Sequence, residues 1–204
     1  MSLKGLYAIT DETLTPDSTL PDLAQRALSA GVNILQYRNK TASDEDCEAV
    51  CIELQRLCRI CGALFVIDDR PHLARRIGAD GLHIGKDDVS LPEARSLFPE
   101  GIIGVSCYGS LRRALAAQEA GADYVAFGSF FPSPTKPRSG IVPIDILSKA
   151  KSALSIPVCA IGGIERSNIE HIALHAPDMI SCVSAIWTGN IERNVTHLIQ
   201  GMNP

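Results

Sequence analysis

The sequence lacks several features that would assign it to a specialised class of protein. Its 204 residues carry a net charge of −4, so no basic excess points to nucleic acid or to an anionic membrane surface. No apolar run is long enough to span a bilayer. A strand-like apolar pattern begins within a few residues of Met1, so we expect no signal peptide. These absences predict a cytoplasmic globular protein without nucleic acid or membrane partners, and they leave its oligomeric state open.

The cysteines do not have the spacing of a metal site or a disulfide framework. Cys58-Arg-Ile-Cys61 is a CxxC pair, but no second pair follows at zinc spacing. Without a secretion signal, seven cysteines favour a reducing compartment. Cys47, Cys51 and Cys58 fall on one side of a predicted helix, where cysteine behaves as a small hydrophobic residue. We therefore predict that these three pack in the core.

Short apolar segments alternate with helical patterns along the whole chain. The strand candidates are Gly5–Thr10, Val32–Arg38, Ala63–Ile67, Gly81–Ile84, Ile102–Ser106, Tyr124–Phe127, Pro157–Ile161 and Met179–Val183. The helix candidates are a segment from Leu20 after the N-cap candidate Thr19, a segment opened by the capping box Ser43–Asp46, and Leu91–Phe98, Ser110–Ala120, Pro143–Ala153, Glu165–Leu174 and Glu192–Gln200. Gly31, Gly78-Ala-Asp and Gly121-Ala-Asp precede strands, as expected where helices end in a left-handed residue.

This alternation predicts an α/β fold, a single (β/α)8 TIM barrel that occupies residues 1–204 as one domain. No linker or composition shift divides the chain. An open doubly wound sheet is the alternative, but no Gly-x-Gly-x-x-Gly follows the first strand. In a barrel, the carboxyl ends of the strands meet at one rim, where enzymes of this fold place their chemistry.

Cationic side chains end the second strand candidate. Gln36, Arg38 and Lys40 alternate, so period two directs them into the barrel mouth if the strand continues. Two cations this close predict a strong anion between them, and the arginine fork matches phosphate oxygens. A solvated surface is the alternative.

Acidic pairs follow the next two strand candidates. Asp68-Asp69 closes the third strand and Asp87-Asp88 follows the fourth. Carboxylates from adjacent strands suit Mg²⁺ when substrate phosphates complete its octahedron, although they could instead cap the following helices. Because the cations lie opposite, we predict Mg²⁺ at Asp69 and Asp88.

Hydroxyls and glycines at the remaining strand ends predict a second anion site. Ser106 ends the fifth strand, Gly162-Gly163 the seventh and Ser184-Ala185 the eighth. Glycines and amides at these last positions form the phosphate-binding corner common in this fold. His83 lies inside a strand, where a hydrogen-bonded core role is more usual than catalysis. No Ser-His-Asp or Cys-His ordering indicates nucleophilic catalysis.

The segment Gly128–Pro137 is too long and too polar for a simple connection. It presents Ser133, Thr135 and Lys136 between prolines, a set that suits an anionic, phosphorylated substrate. The alternative is a proline-stiffened surface loop.

At these residues the sequence resembles the thiamine phosphate synthases. The segments that carry the resemblance are Gly5–Asp11, Gln36–Lys40, Asp68–Arg70, Gly81–Asp88, Gly104–Cys107, Phe127 to Lys136, Ala160–Ile164 and Val183–Ile186. Each segment is weak alone, but their order and spacing are specific and extend over essentially the whole chain. The resemblance implies a transferase that condenses hydroxymethylpyrimidine diphosphate with a thiazole phosphate. Thiamine phosphate and pyrophosphate are the products of this dissociative displacement.

The resemblance also implies roles for individual residues. The pyrimidine diphosphate would be held by Gln36, Arg38, Lys40, Asp68, Ser106 and Lys136. The thiazole phosphate would be held by Ser133, Thr135, Gly163, Val183 and Ser184. Mg²⁺, the implied cofactor, would be bound by Asp69 and Asp88, and the candidates for catalysis are Lys136, Arg38 and Ser106.

The chain departs from the family pattern at two positions, and two other functions stay open. The family usually has Asn where this chain has Asp68, and commonly has Thr in place of Ser133. A thiazole tautomerase shares much of the framework but typically lacks the Thr135-Lys136 pair, which favours the synthase. A non-catalytic phosphate-ligand-binding barrel, with catalysis spoiled by Asp68, is disfavoured by the intact metal pair.

Overall fold

A computed structural model describes residues 2–132 and 140–203, and these residues form a closed barrel of eight parallel strands. The strands are β1 Gly5–Ile9, β2 Ile34–Tyr37, β3 Leu64–Asp68, β4 Gly81–Ile84, β5 Ile102–Tyr108, β6 Tyr124–Phe127, β7 Val158–Ile161 and β8 Met179–Cys182. Each strand pairs with the next, and β8 pairs back with β1 through registers such as Tyr7 with Ser181. The predicted (β/α)8 barrel is confirmed.

Helices follow the strands around the outside of the barrel. They are α1 Leu20–Ser29, α2 Asp44–Cys61, α3 Pro71–Ile77, α4 Leu91–Leu97, α5 Leu111–Glu119, α6 Ile146–Ala153, α7 Ile169–Ala173, α8 Ser184–Trp187 and α9 Ile191–Gly201. Ser43 caps α2 as predicted, because its hydroxyl accepts from the Asp46 amide at 3.2 Å. Thr19 occupies the N-cap position of α1 as predicted, but its hydroxyl donates to the Pro16 carbonyl instead of accepting from a helix amide. The sequence pattern also misses α3 and the four-residue α8.

Alternation along the strands separates two apolar layers. Outward residues such as Leu6, Leu35 and Phe65 pack against the helices in the larger core. A smaller cluster fills the barrel interior, with Tyr7 and Tyr124 as its aromatic members. A barrel interior filled with side chains is a packed core rather than a pore, so ligands are confined to its mouth.

Polar side chains at the amino-terminal end of the barrel join strands in pairs. In each case a residue just before an even-numbered strand accepts a hydrogen bond from the first part of the preceding strand. The donors and acceptors, 2.8–2.9 Å apart, are Leu6 N and Asn33 Oδ1, Phe65 N and Asp80 Oδ2, Ile103 N and Asp123 Oδ2, and Val158 N and Asp178 Oδ2. We call these bonds the strand-pair clamps. They give a structural reason for the aspartate in both Gly-Ala-Asp segments.

The seven cysteines lie in the described part of the chain and carry free thiols. Cys47, Cys51 and Cys58 are buried, as predicted, whereas Cys61 is exposed. Among residues 2–132 and 140–203, none of the helices has both the length and the apolar character needed to cross a membrane.

Candidate active site

The carboxyl ends of the strands surround a cavity of about 1030 Å³. Its lining includes the predicted site residues Gln36, Arg38, Lys40, Asp68, Asp88, Ser106, Gly163, Val183 and Ser184. Asp69 lies beside the lining, where its carboxylate accepts a hydrogen bond from Lys40. Ser133, Thr135 and Lys136 lie outside the described residues. The barrel therefore brings the described candidates to one mouth.

Two cations and two carboxylates pair with one another on the β2–β3 side of the mouth. The guanidinium Nε of Arg38 is 3.5 Å from Asp68 Oδ2, and the Lys40 ammonium is 3.2 Å from the same oxygen. Lys40 also bonds to Asp69, and the Arg38 amide donates to the Thr10 hydroxyl at 2.8 Å. We call Arg38, Lys40, Asp68 and Asp69 the charged cluster. Arg38 and Lys40 are already paired with carboxylates, so an incoming anion must replace those carboxylates to bind the two cations.

Burial changes the pKa values of the two acids in the charged cluster more than their cationic partners do. It raises the pKa of the Asp68 carboxyl, while Lys40 and Arg38 lower it in part. Burial likewise raises the pKa of the Asp69 carboxyl, and the hydrogen bond from Lys40 opposes this. The negative charge of Asp88 adds a smaller upward shift to both pKa values, which indicates that the three acids share one electrostatic environment.

The acidic side of the mouth has the chemistry of a shared Mg²⁺ site. Asp69 adopts a left-handed backbone (φ 52°), and its amide donates to the His83 carbonyl at 2.9 Å. Asp88 Oδ2 accepts from the Gly85 amide at 2.6 Å. Within the described ranges, no three His, Cys, Asp or Glu residues are arranged to hold a metal by themselves. Two carboxylates nevertheless suit Mg²⁺, which keeps waters and takes substrate phosphates as further ligands.

Glycines shape the opposite side of the mouth. Gly162 and Gly163 follow β7 with φ values of 102° and 65°. A Cβ on Gly162 would stand 1.8 Å from Ser129 Oγ, and one on Gly163 would stand 2.5 Å from the Phe131 carbonyl oxygen. Glycine is therefore required at both positions, because the segment that follows β6 packs directly against this backbone. The glycine corner, as we call this region, consists of Gly162, Gly163, Val183 and Ser184.

A chain of hydrogen bonds crosses the barrel interior below the cavity. Gln36 Nε2 donates to the Tyr7 hydroxyl at 2.7 Å, and the hydroxyls of Tyr7 and Tyr124 are 2.9 Å apart. His83 Nδ1 lies 2.9 Å from the Tyr124 hydroxyl, and His83 Nε2 lies 2.9 Å from Ser106 Oγ. We call these five side chains, from five different strands, the buried polar chain. Gln36 and Ser106 at its two ends line the cavity, and so does His83, whereas both tyrosines are buried beneath it.

Sequence reasoning missed several cavity and interior residues. Ser181 lines the cavity, and its buried hydroxyl has no hydrogen-bond partner among the described residues. Tyr108 also lines the cavity, with a left-handed backbone (φ 55°) and the Arg113 guanidinium 5.7 Å from its ring centre. Period-two alternation with the inward-facing Val183 was the available signal for Ser181. The same alternation was available for Tyr7 and Tyr124, the two tyrosines of the buried polar chain.

Comparison with known proteins gives a consistent family. A family model described as thiamine monophosphate synthase matches residues 6–186. The protein named thiamine-phosphate synthase from Wolinella succinogenes is 44% identical over 205 residues, covering 98% of this chain and 94% of that protein. Its namesake from Thioalkalivibrio sulfidiphilus is 45% identical over 186 residues, covering 91% and 88%.

A solved structure agrees with the sequence relatives. Thiamine phosphate pyrophosphorylase from Pyrococcus furiosus superposes on the chain with a TM-score of 0.89 at 32% identity. The match covers 98% of this chain and 96% of that one. The chain belongs to the thiamine monophosphate synthase family.

Proposed function

We propose that this chain is a transferase that condenses 4-amino-2-methyl-5-hydroxymethylpyrimidine diphosphate with a thiazole phosphate, giving thiamine phosphate and pyrophosphate. One observation carries the proposal: the charged cluster and the glycine corner face each other across a single cavity. Two substrates with anionic groups of different charge need two different binding surfaces within reach of each other. Membership of the synthase family supports the same reaction.

The charged cluster suits the diphosphate. Arg38 can bind phosphate oxygens with its fork and Lys40 can add a point charge, if both exchange the carboxylates of Asp68 and Asp69 for the ligand. Gln36 and Ser106 would contact the pyrimidine ring from the adjoining wall of the cavity. Lys136, which the resemblance assigns to the leaving group, lies outside the described residues.

The glycine corner suits the monophosphate. Gly163 contributes its backbone to the cavity lining, and Val183 and Ser184 complete the same wall of the cavity. Ser133 and Thr135, also assigned to the thiazole phosphate by the resemblance, lie outside the described residues. This wall carries little charge of its own, so it matches the less charged of the two substrates.

Asp69 and Asp88 would hold Mg²⁺, and the ion would neutralise charge on the departing diphosphate. The reaction breaks the bond between the pyrimidine methylene carbon and the diphosphate oxygen, whose electron pair leaves with pyrophosphate. The electron-rich aminopyrimidine supports the resulting cation, and the lone pair of the thiazole nitrogen forms the new carbon–nitrogen bond. The chain's main tasks are then positioning and electrostatic stabilisation, with little acid–base work. The free thiols agree with a cytoplasmic location for this reaction.

The test is direct synthesis. Purified protein incubated with both phosphorylated substrates and Mg²⁺ should yield thiamine phosphate and pyrophosphate in equal amounts. Parallel reactions omit the pyrimidine substrate, so a tautomerase would reveal itself by isomerising the thiazole phosphate alone. Tight binding of either substrate without any product would indicate a non-catalytic binder and contradict the proposal.

A further inference from the structure

We propose that Tyr7, Tyr124 and His83 form a one-directional hydrogen-bond relay that makes Gln36 present an acceptor and Ser106 a donor to the pyrimidine ring. Tyr7 and Tyr124 are positioning residues, because they are buried and act through the other members of the chain. His83 also lines the cavity, and the relay gives it a positioning role through its bond to Ser106. The inference rests on the proposed function in one respect: it takes the ligand between Gln36 and Ser106 to be the aminopyrimidine. Its consequence is selection of a 4-amino over a 4-oxo pyrimidine.

The relay is held by packing as well as by hydrogen bonds. Tyr7 and Tyr124 are fully buried, with their rings edge to face and their centres 6.3 Å apart. A Cβ on Gly104 would stand 2.0 Å from Cζ of Tyr124, so a glycine in β5 makes the space that this ring occupies. With both rings confined, each hydroxyl keeps the two neighbours described above.

The hydrogens of the relay can be counted. Burial raises the pKa of both phenols, so each hydroxyl keeps a single hydrogen. Since Gln36 donates to the Tyr7 hydroxyl, Tyr7 donates its own hydroxyl hydrogen to Tyr124. Tyr124 in turn donates to His83 Nδ1. A neutral imidazole that accepts at Nδ1 carries its hydrogen on Nε2, from which it donates to Ser106.

The count determines what the two ends offer to a ligand. The Ser106 hydroxyl hydrogen is not used in the relay and is left to donate into the cavity. The carbonyl oxygen of Gln36 has no hydrogen-bond partner among the described residues, so it is left to accept. Reversing either end requires reversing every bond between them, because each hydroxyl has only one hydrogen. The relay therefore couples the two ends into one fixed pattern.

This pattern matches a 4-aminopyrimidine, whose amine donates and whose ring nitrogens accept. A 4-oxo pyrimidine presents the opposite pattern, a carbonyl that accepts and a ring N–H that donates. A site with fixed donor and acceptor rejects the opposite pattern strongly, since its buried polar groups are left unpaired. Breaking the relay at its centre should let each end reverse independently and weaken this selection.

Tyr124→Phe breaks the relay, and Tyr37→Phe is the matched control. Tyr37 is equally buried, but its hydroxyl donates to Asp17 on the helix side of β2, away from the cavity. In equilibrium competition between 4-amino and 4-oxo pyrimidine diphosphates, Tyr124→Phe should reduce the preference for the amine by about tenfold, the effect of one hydrogen bond. The KM for the thiazole phosphate should not change, and Tyr37→Phe should keep the preference of the parent protein.

Nitrogen NMR of the imidazole tests the direction without any substrate. In the parent protein, His83 should be the Nε2–H tautomer, with its signal assigned by loss in His83→Asn, and Tyr124→Phe should introduce the Nδ1–H tautomer. An Nδ1–H tautomer in the parent, or an equal loss of preference in both phenylalanine variants, would overturn the relay. A parent with the expected tautomer that makes no thiamine phosphate would refute the proposed function and leave the relay standing.

Discussion

The two walls of the cavity solve the problem of anion binding in different ways. On the β2–β4 side, charged side chains pair with one another, as Lys40 does with Asp68 and Asp69. On the β7–β8 side, Gly162 and Gly163 hold the backbone in conformations that only glycine adopts freely. The first wall depends on charge and the second on space. Substitutions that alter one property should therefore affect one substrate and not the other.

The largest effect should come from Asp69 and Asp88, the residues that we propose to hold Mg²⁺. Asp88→Asn keeps an oxygen that can accept from the Gly85 amide but removes the negative charge, so the rate at limiting Mg²⁺ should fall about 10²-fold. Asp87→Asn is the control, because the Asp87 carboxylate is largely exposed and 3.9 Å from Lys86. Steady-state rates over a Mg²⁺ titration would measure both. Equal responses, or full activity of the parent in excess chelator, would exclude Asp88 as a ligand.

A substitution in the glycine corner should act by steric collision and not by a change of charge. Gly163→Ala places a left-handed alanine against the Phe131 carbonyl, whereas Gly78→Ala, at nearly the same φ, has nothing within 4 Å. Both should lose about 1–2 kcal/mol of unfolding free energy from backbone strain. Gly163→Ala should lose a further ~1–3 kcal/mol from the collision.

The two glycine variants should also differ in substrate binding. Gly163→Ala should raise the Kd of the thiazole phosphate, with that of the pyrimidine diphosphate unchanged. Urea unfolding and calorimetric titration of each substrate make the comparison. A weakened diphosphate affinity in Gly163→Ala would mean that the two anion sites are exchanged.

A smaller effect is expected at Asp68, where the resemblance implies an asparagine in the family. Asp68→Asn removes a charge that Arg38 and Lys40 now neutralise, while its side-chain oxygen can still accept from either cation. The two changes oppose each other, so kcat/KM should stay within about tenfold, or ~1.4 kcal/mol of barrier. Initial rates of the two proteins decide this. Strong rescue of an inactive parent would show that Asp68 has abolished catalysis.

The smallest effect is expected at Ser181, which belongs to neither the charged cluster nor the glycine corner. Its hydroxyl is buried without a hydrogen-bond partner among the described residues, so Ser181→Ala should stabilise the unliganded protein by up to ~1 kcal/mol. Thermal unfolding without substrate would detect the gain. A loss of stability would indicate that the hydroxyl is satisfied by a water molecule.

Local patterns predicted the barrel well because each strand carries its own signal. The strand candidates Gly81–Ile84 and Tyr124–Phe127 match β4 and β6 residue for residue. The sequence pattern missed α3 because the helix has only seven residues and its apolar spacing is interrupted by Arg75 and Arg76. A helix this short is defined by packing against the barrel more than by its own periodicity.

Local patterns also predicted one part of the candidate site and missed another. Strand alternation and the rim rule located Arg38 and Lys40, but their pairing with Asp68 depends on the contact between neighbouring strands, which periodicity does not encode. The bond between Tyr7 and Tyr124 joins residues 117 positions apart and crosses the interior. No local pattern contains such a contact, so the buried polar chain could be found only in three dimensions.

The strand-pair clamps have a consequence for dividing the chain into fragments. They join β1 to β2, β3 to β4, β5 to β6 and β7 to β8, so the barrel consists of four units with an internal bond at the base of each. A break in the backbone between β4 and β5 leaves every clamp inside one fragment, whereas a break between β3 and β4 separates Phe65 from Asp80. Two halves divided at the first point should therefore reassemble into a barrel when mixed, and pieces divided at the second should do so less completely.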